Sequence, residues 1–192
     1  MHDAGTDLDA ALRPFFREAR EGVVDVEGIF ALIGRELYHY SFALCGSRSQ
    51  TEDAIQDLVV KLLEQGERLR EVRQPRGWLY TVVRRLACPR KRPSPEQCAR
   101  RFAESVEADP SERLELQEAL ARLRPLDQEL ILLHVWQEMT FTEIAEVLAL
   151  PRGTALSAYH RALQKLRASL DGPPLRVTGF PLRSKLRHAP AT

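Results

Sequence analysis

Between residues 140 and 170, apolar positions recur at the three- and four-residue intervals that give a helix one buried stripe. Phe141, Ile144, Ala145 and Leu148 follow that rule and predict a helix ending near Ala149. Thr140 can cap it, Glu143 three residues later can close a capping box, and Met139 can staple onto Ile144. Pro151 stops the chain and restarts it, because proline cannot continue a helix but suits the first turn of the next. In that next helix Ala155, Tyr159, Ala162, Leu163, Leu166 and Leu170 share one side. Thr154, Ser157, His160, Arg161, Gln164 and Lys165 share the other, a polar face that is basic toward its end. Two helices joined by a tight turn predict a helix-turn-helix, a motif that many helical proteins also use without binding DNA.

The same spacing runs through the preceding chain. A short helix is expected near residues 8 to 20. Val26, Ile29, Phe30, Ile33, Leu37, Tyr40 and Leu44 mark a long helix ending near Gly46. Ser49 and Glu52 suggest a capping box opening a third helix, with Ile55, Leu58, Val59 and Leu62 inside. Asp53, Gln56, Asp57 and Glu64 would then form an acidic outer row, a pattern that is often only a solvated face. From Pro75 to about Ala87, Trp78, Leu79, Val82, Val83 and Leu86 are expected inward, while Arg76, Tyr80 and Arg84 line up outward beside Arg85.

Proline and polar residues break the pattern over residues 93 to 114, which read as an interdomain linker. Periodicity returns with Leu116, Ala119, Leu120 and Leu123, and after Pro125 with Leu126, Leu130 and Leu133. These helices would carry the core on which the helix-turn-helix rests, since an isolated pair buries too little to stand alone. The expected fold is all-α: two small helical domains joined by a linker, the second a four-helix domain with a helix-turn-helix. Residues 1–24 form an N-terminal extension, 25–92 the first domain, 93–114 the linker, 115–170 the second domain and 171–192 a flexible tail.

The chain's 192 residues suffice for two small cores. A formal net charge of +1 rules out a general polycation, but the charge is uneven. Residues 84 to 101 carry seven basic side chains against one acid, whereas residues 102 to 118 carry six acids against Arg113. Cys45, Cys88 and Cys98 are an odd number without a CxxC pair, which argues against a disulfide scaffold or structural zinc and fits the cytosol. No apolar run approaches the roughly 20 residues that cross a bilayer, and the first ten residues are acidic where a secretory signal is basic. Membrane insertion is therefore not expected, and a cytoplasmic location is.

Gly-rich phosphate loops, HExxH and GxSxG are absent and the five histidines are dispersed, so no catalytic site, metal site or cofactor is expected and the protein does not read as an enzyme. The chemistry on offer is recognition. An aromatic ring among guanidinium groups suits single-stranded nucleic acid, because rings stack on unpaired bases at about 1 to 3 kcal/mol each while cations follow the phosphates. Trp78, Tyr80, Arg84 and Arg85 are the candidates, although Trp78 taken alone reads as a core residue. The polar face carrying Arg152, Thr154, Ser157, His160 and Arg161 is sized for a DNA major groove.

Taken together, TEDAIQDLVVKLLE, PRGWLYTVVRRLA and FTEIAEVLALPRGTALSAYHRALQKLR, in that order and spacing, resemble a bacterial RNA polymerase sigma factor of the extracytoplasmic-function type. The resemblance covers about two-thirds of the chain. It implies that the helix with Asp53, Gln56 and Asp57 docks on the clamp helices of core RNA polymerase. It implies that Trp78, Tyr80, Arg84 and Arg85 capture the opened minus-ten promoter strand. The helix with Arg152, Thr154, Ser157, His160 and Arg161 would read the minus-thirty-five element as duplex, and residues 93 to 114 would thread toward the RNA exit path. The implied partners are core RNA polymerase and promoter DNA, both duplex and melted; a sequestering anti-sigma protein is suggested by the family alone.

This chain departs from the family's usual pattern at several positions. Leu156 and Ala158 stand where lysine and arginine are usual, flanking the expected DNA-facing side, and Arg85 replaces an asparagine. Ala149 replaces a glycine at a turn position that tends to need positive φ, and Pro89 replaces an aspartate and should end its helix early. The alternative function these departures keep open is a sigma-like helical regulator that binds polymerase, DNA or another protein without initiating transcription.

Overall fold

The computed structural model describes residues 4–20, 23–87, 94–104 and 110–169. Expectations that fall on Pro89, on Arg90 to Arg92, on Leu170 and on the tail lie outside them. Regular structure among the described residues is helical, apart from one isolated bridge between Arg20 and Val23. The described residues separate into two compact units, one of those up to 87 together with Glu146–Ala149, the other of residues 94–145 and 150–169.

The first unit holds α1 (Ala4–Glu18), α2 (Val26–Cys45), α3 (Arg48–Gln65) and α4 (Pro75–Ala87), with a 3-10 segment, Gly66–Glu71, between α3 and α4. Asp25 caps α2 through a hydrogen bond accepted from the Gly28 N–H, and Gly46 ends it at φ 80, a left-handed conformation that glycine adopts without steric cost. The third helix begins earlier than the Ser49–Glu52 box implied. Ser47, extended directly after the left-handed Gly46, accepts from the Gln50 N–H at 3.2 Å and is the true cap. Ser49 is left inside the first turn, and Glu52 pairs instead with Arg48 at 2.8 Å. The buried stripe is correspondingly rotated to Thr51, Ala54, Leu58 and Leu62, with Ile55 and Val59 only partly covered.

Around that stripe the core collects Ile29, Ile33, Leu37 and Tyr40 of α2 and Leu79, Tyr80, Val83 and Ala87 of α4. Leu12 and Phe16 of α1 are buried in the same unit. Residues 1 to 24 are therefore more than an extension: the helix within them is part of the first unit's core.

The second unit holds α5 (Pro95–Glu104), α6 (Pro110–Ala121), α7 (Pro125–Ile131), α8 (Phe141–Leu148) as far as Ala145, and α9 (Arg152–Ser169). The four helices from α6 to α9 are those the periodicity predicts, and α5 occupies part of the expected linker. Its signal lies in Ser94-Pro95-Glu96-Gln97: the Gln97 N–H donates to the Ser94 hydroxyl, and the Gln97 side chain accepts from the Ser94 N–H at 3.0 Å. Among its described side chains Ala99 and Ala103, one turn apart, are buried, and the helix packs on α6. That stripe is too narrow and too weakly apolar to stand out by periodicity.

α7 runs on into a π-helical turn, Leu132–Trp136, which buries Leu132, Leu133 and Val135. Gln128 donates to the Leu120 and Leu123 carbonyls at 2.8 and 3.3 Å, closing the end of α6. Arg124 grips Asp127 with two nitrogens at 2.8 and 2.9 Å.

At the start of α8 the capping box forms as expected. The Thr140 N–H donates to Glu143 Oε2 at 2.7 Å, and the Glu143 N–H donates back to the Thr140 hydroxyl at 3.3 Å. Met139 and Ile144, the staple pair, are both buried. Replacing Thr140 by alanine should cost about 1 kcal/mol of second-unit stability, read as a lower urea midpoint with an unchanged slope.

α8 ends at Ala149 with φ 54. The Leu150 N–H reaches the Ala145 carbonyl at 2.9 Å and the Ala149 N–H reaches the Glu146 carbonyl at 3.2 Å, the paired bonds of a left-handed helix end. An L side chain with a Cβ strains there, so Ala149→Gly should stabilise the protein by about 1 kcal/mol. Thermal unfolding checks this, and a lower melting temperature would contradict it.

Candidate polymerase and nucleic-acid interfaces

Three surfaces predicted from sequence can be placed. On α3, Asp53, Gln56 and Asp57 are all exposed along one outer strip. Two apolar neighbours were missed: Val60 and Leu63 on the same outer side are 49% and 39% exposed. Val60 continues the strip, three residues beyond Asp57 and four beyond Gln56. The missed signal was an apolar residue in the i+3/i+4 register of the acidic row. Farther along, Lys61 bridges to Glu64 at 2.6 Å, a hydrogen bond that raises the Lys61 pKa above its ordinary value.

On α4 the structure corrects the predicted outward row. Tyr80 is fully buried, its ring 5.0 Å from that of Tyr40, and Arg76 is only 4% exposed, with its guanidinium carbon 6.0 Å from the Tyr80 ring centre. The physical reason is the stripe itself. Leu79, Tyr80 and Val83 share the buried side of the helix, so the core lies about one position away from where Trp78 and Val82 would centre it. Trp78, Val82 and Leu86, expected inward, are each partly exposed instead. A buried Tyr80 ring offers no face to a base. What α4 does present is Trp78 and Arg84, both partly exposed, and Arg85, exposed.

On α9 the polar face lies where the periodicity puts it. Arg152, Thr154, Ser157 and Arg161 are exposed and His160 is partly so, while Ala155, Tyr159, Ala162, Leu163 and Leu166 are buried. Ser157 donates its hydroxyl hydrogen to the Gly153 carbonyl at 2.7 Å, which leaves the oxygen lone pairs for an outside donor. Leu156 and Ala158 part company. Leu156 is 38% exposed on the polar side, but Ala158 is 3% exposed and packs inward, so it does not flank the outer face as expected.

The helix-turn-helix is held by rings: His134 stacks on Phe141 at 4.4 Å and meets Tyr159 edge-on at 4.7 Å. His134 Nδ1 lies 2.9 Å from the Met139 carbonyl, tying the π-helical turn to the segment that opens α8. Burial raises the Tyr159 pKa above its ordinary value, keeping the ring neutral within that cluster.

No helix among the described residues is long and apolar enough to cross a membrane. Two compact helical units, one of them carrying a helix-turn-helix with a basic and hydroxylated outer face, define a two-domain helical protein. Residues 29–92 match the family described as sigma-70 region 2, and residues 113–166 match sigma-70 region 4.

Among similar proteins, the ECF RNA polymerase sigma factor SigL of Mycobacterium tuberculosis (strain ATCC 25618 / H37Rv) is 27% identical over 150 residues, 70% of this chain and 82% of that protein. The RNA polymerase sigma-E factor of Streptomyces antibioticus is 31% identical over 81 residues, 42% of this chain and 45% of that protein. The chain belongs to the sigma-70 family, as a sigma factor of the extracytoplasmic-function type that directs RNA polymerase in transcription initiation. That family is not an enzyme class, and its members interact with RNA polymerase and promoter DNA.

Proposed function

We propose that the three surfaces divide the work of initiation. The α3 strip of Asp53, Gln56, Asp57 and Val60 docks on the clamp helices of core polymerase, its carboxylates facing cations and its valine supplying apolar contact. Trp78, Arg84 and Arg85 of α4 hold the opened minus-ten strand, the indole stacking on an unpaired base and the guanidinium groups following phosphates. Arg152, Thr154, Ser157, His160 and Arg161 of α9 read the duplex minus-thirty-five element. Tyr80 serves from beneath, as a core residue under the strand-facing surface.

This division has an energetic logic. Binding gathered on polymerase and duplex DNA offsets the few kcal/mol needed to unstack bases, so the factor itself need hydrolyse nothing. Because one chain carries both units, each engaged site raises the effective concentration of the other. A factor working on core polymerase and promoter DNA belongs with them in the cytoplasm.

The observation that carries the reading is the exposure of Thr154, Ser157 and Arg161 together on one side of a helix whose other side is core. Run-off transcription with purified core polymerase on a genomic library tests it. Discrete start sites are expected. Polymerase binding without discrete start sites would overturn this division of the surfaces.

A further inference from the structure

The helix that carries Trp78 lacks a cap of its own. Gln74, which precedes α4, is a poor capping residue, and Pro75 has no N–H to satisfy. The cap is instead imported from α1: Asp9 Oδ1 accepts the Arg76 N–H at 2.8 Å across 67 residues of sequence. That places a carboxylate at the positive end of a 13-residue helix.

One and two turns further along α1, Leu12 and Phe16 are buried, and the Phe16 ring meets Trp78 edge-on, with centroids 5.9 Å apart and planes at 82°. Past the helix end, the Ala19 carbonyl accepts from Arg70 Nε at 2.8 Å, securing α1 to the 3-10 segment ahead of α4. Trp78 is thus held against a buried ring while part of its surface stays open to solvent. A ring already held still loses less freedom when a base stacks on it. α1 lies ahead of the region 2 match, which begins at residue 29.

We infer that α1 is a positioning element for strand capture, in which Asp9 sets the axis of α4 and Phe16 holds Trp78 at the angle an unpaired base stacks on. This rests on the proposed role of Trp78 and adds a second requirement to it. Asp9 and Phe16 act through α4 and do not touch DNA.

The test uses full-length protein with core polymerase on a promoter found by the run-off experiment. Opening is measured as permanganate reactivity of bubble thymines. The Asp9→Asn, Phe16→Leu double variant should open duplex promoter about tenfold less well, with core affinity within twofold of the parent. Asp9→Asn alone, isosteric and on a partly exposed side chain, should show an intermediate loss and covers the case in which the double variant misfolds.

In a Trp136→Phe background Trp78 is the sole tryptophan, and its emission reports its setting. The double variant should shift that emission to the red and weaken its quenching by a single-stranded minus-ten oligonucleotide. Unchanged opening alongside shifted emission would reduce α1 to mere cover and overturn the inference, as would parallel losses of opening and core binding. Trp78→Ala separates the layers. If it leaves opening intact, the role of α4 itself fails; if it impairs opening while the α1 variants do not, only the positioning role fails.

Discussion

Asp57→Arg should lower the affinity of the protein for core RNA polymerase by at least tenfold while leaving its thermal stability within about 0.5 kcal/mol of the parent, because the site is an exposed surface position. Asp57 sits mid-strip on the outer face of α3, exposed beside Gln56 and Asp53. Reversal there removes an attraction and installs a repulsion against a partner surface chosen for cations, and like charges opposed across an interface cost several kcal/mol. Pull-down or fluorescence titration with purified core enzyme measures the effect, which should shrink as salt is raised. An unchanged complex would return the acidic row to a solvated face. Val60→Ser should weaken the same complex with much less salt dependence, distinguishing the apolar half of the strip from the charged half.

Arg161→Ala should weaken binding to promoter duplex by about tenfold or more and leave polymerase binding unchanged. Arg161 is exposed and lies between Ser157 and Lys165 on the outer side of α9. If it pairs with a guanine edge, its loss costs about 1 to 3 kcal/mol and relaxes preference at one base pair. If it contacts phosphate, binding falls evenly across sequences and the salt slope drops by about one unit. Comparing cognate and scrambled duplexes at several salt concentrations tells the two apart. Equal losses of DNA and polymerase binding would remove Arg161 from the reading face altogether.

Where local chemistry repeated itself, the helices were legible in the amino acids alone. Thr140, Glu143, Met139 and Ile144 agreed on one boundary, and the box and staple are both present. The positive φ at Ala149, observed at 54°, was readable through the resemblance, which places a glycine at that turn position. The outer face of α9 followed from period, because Ala155, Tyr159, Ala162, Leu163 and Leu166 recur at helical spacing on the opposite side.

Elsewhere the tertiary structure decided. Rings can face either way; in the folded unit Tyr80 lies beside Tyr40 on the buried side with Leu79 and Val83, and Trp78 is left partly exposed. Ala158 is small enough to suit either side of α9, so its burial depends on how closely the neighbouring helices approach. Ala99 and Ala103 make too weak a stripe for periodicity to show α5, and no local pattern shows a contribution of α1 to α4 that crosses 67 residues.

The helices from α6 to α9, the capping box of α8 and the polar face of α9 were thus determined by sequence, through interactions between near neighbours in the chain. Which side of α4 meets solvent, and which distant carboxylate caps it, were determined by packing. A helix with apolar residues on more than one side has its orientation chosen by the partners that bury most surface, and those partners are set only by the assembled unit.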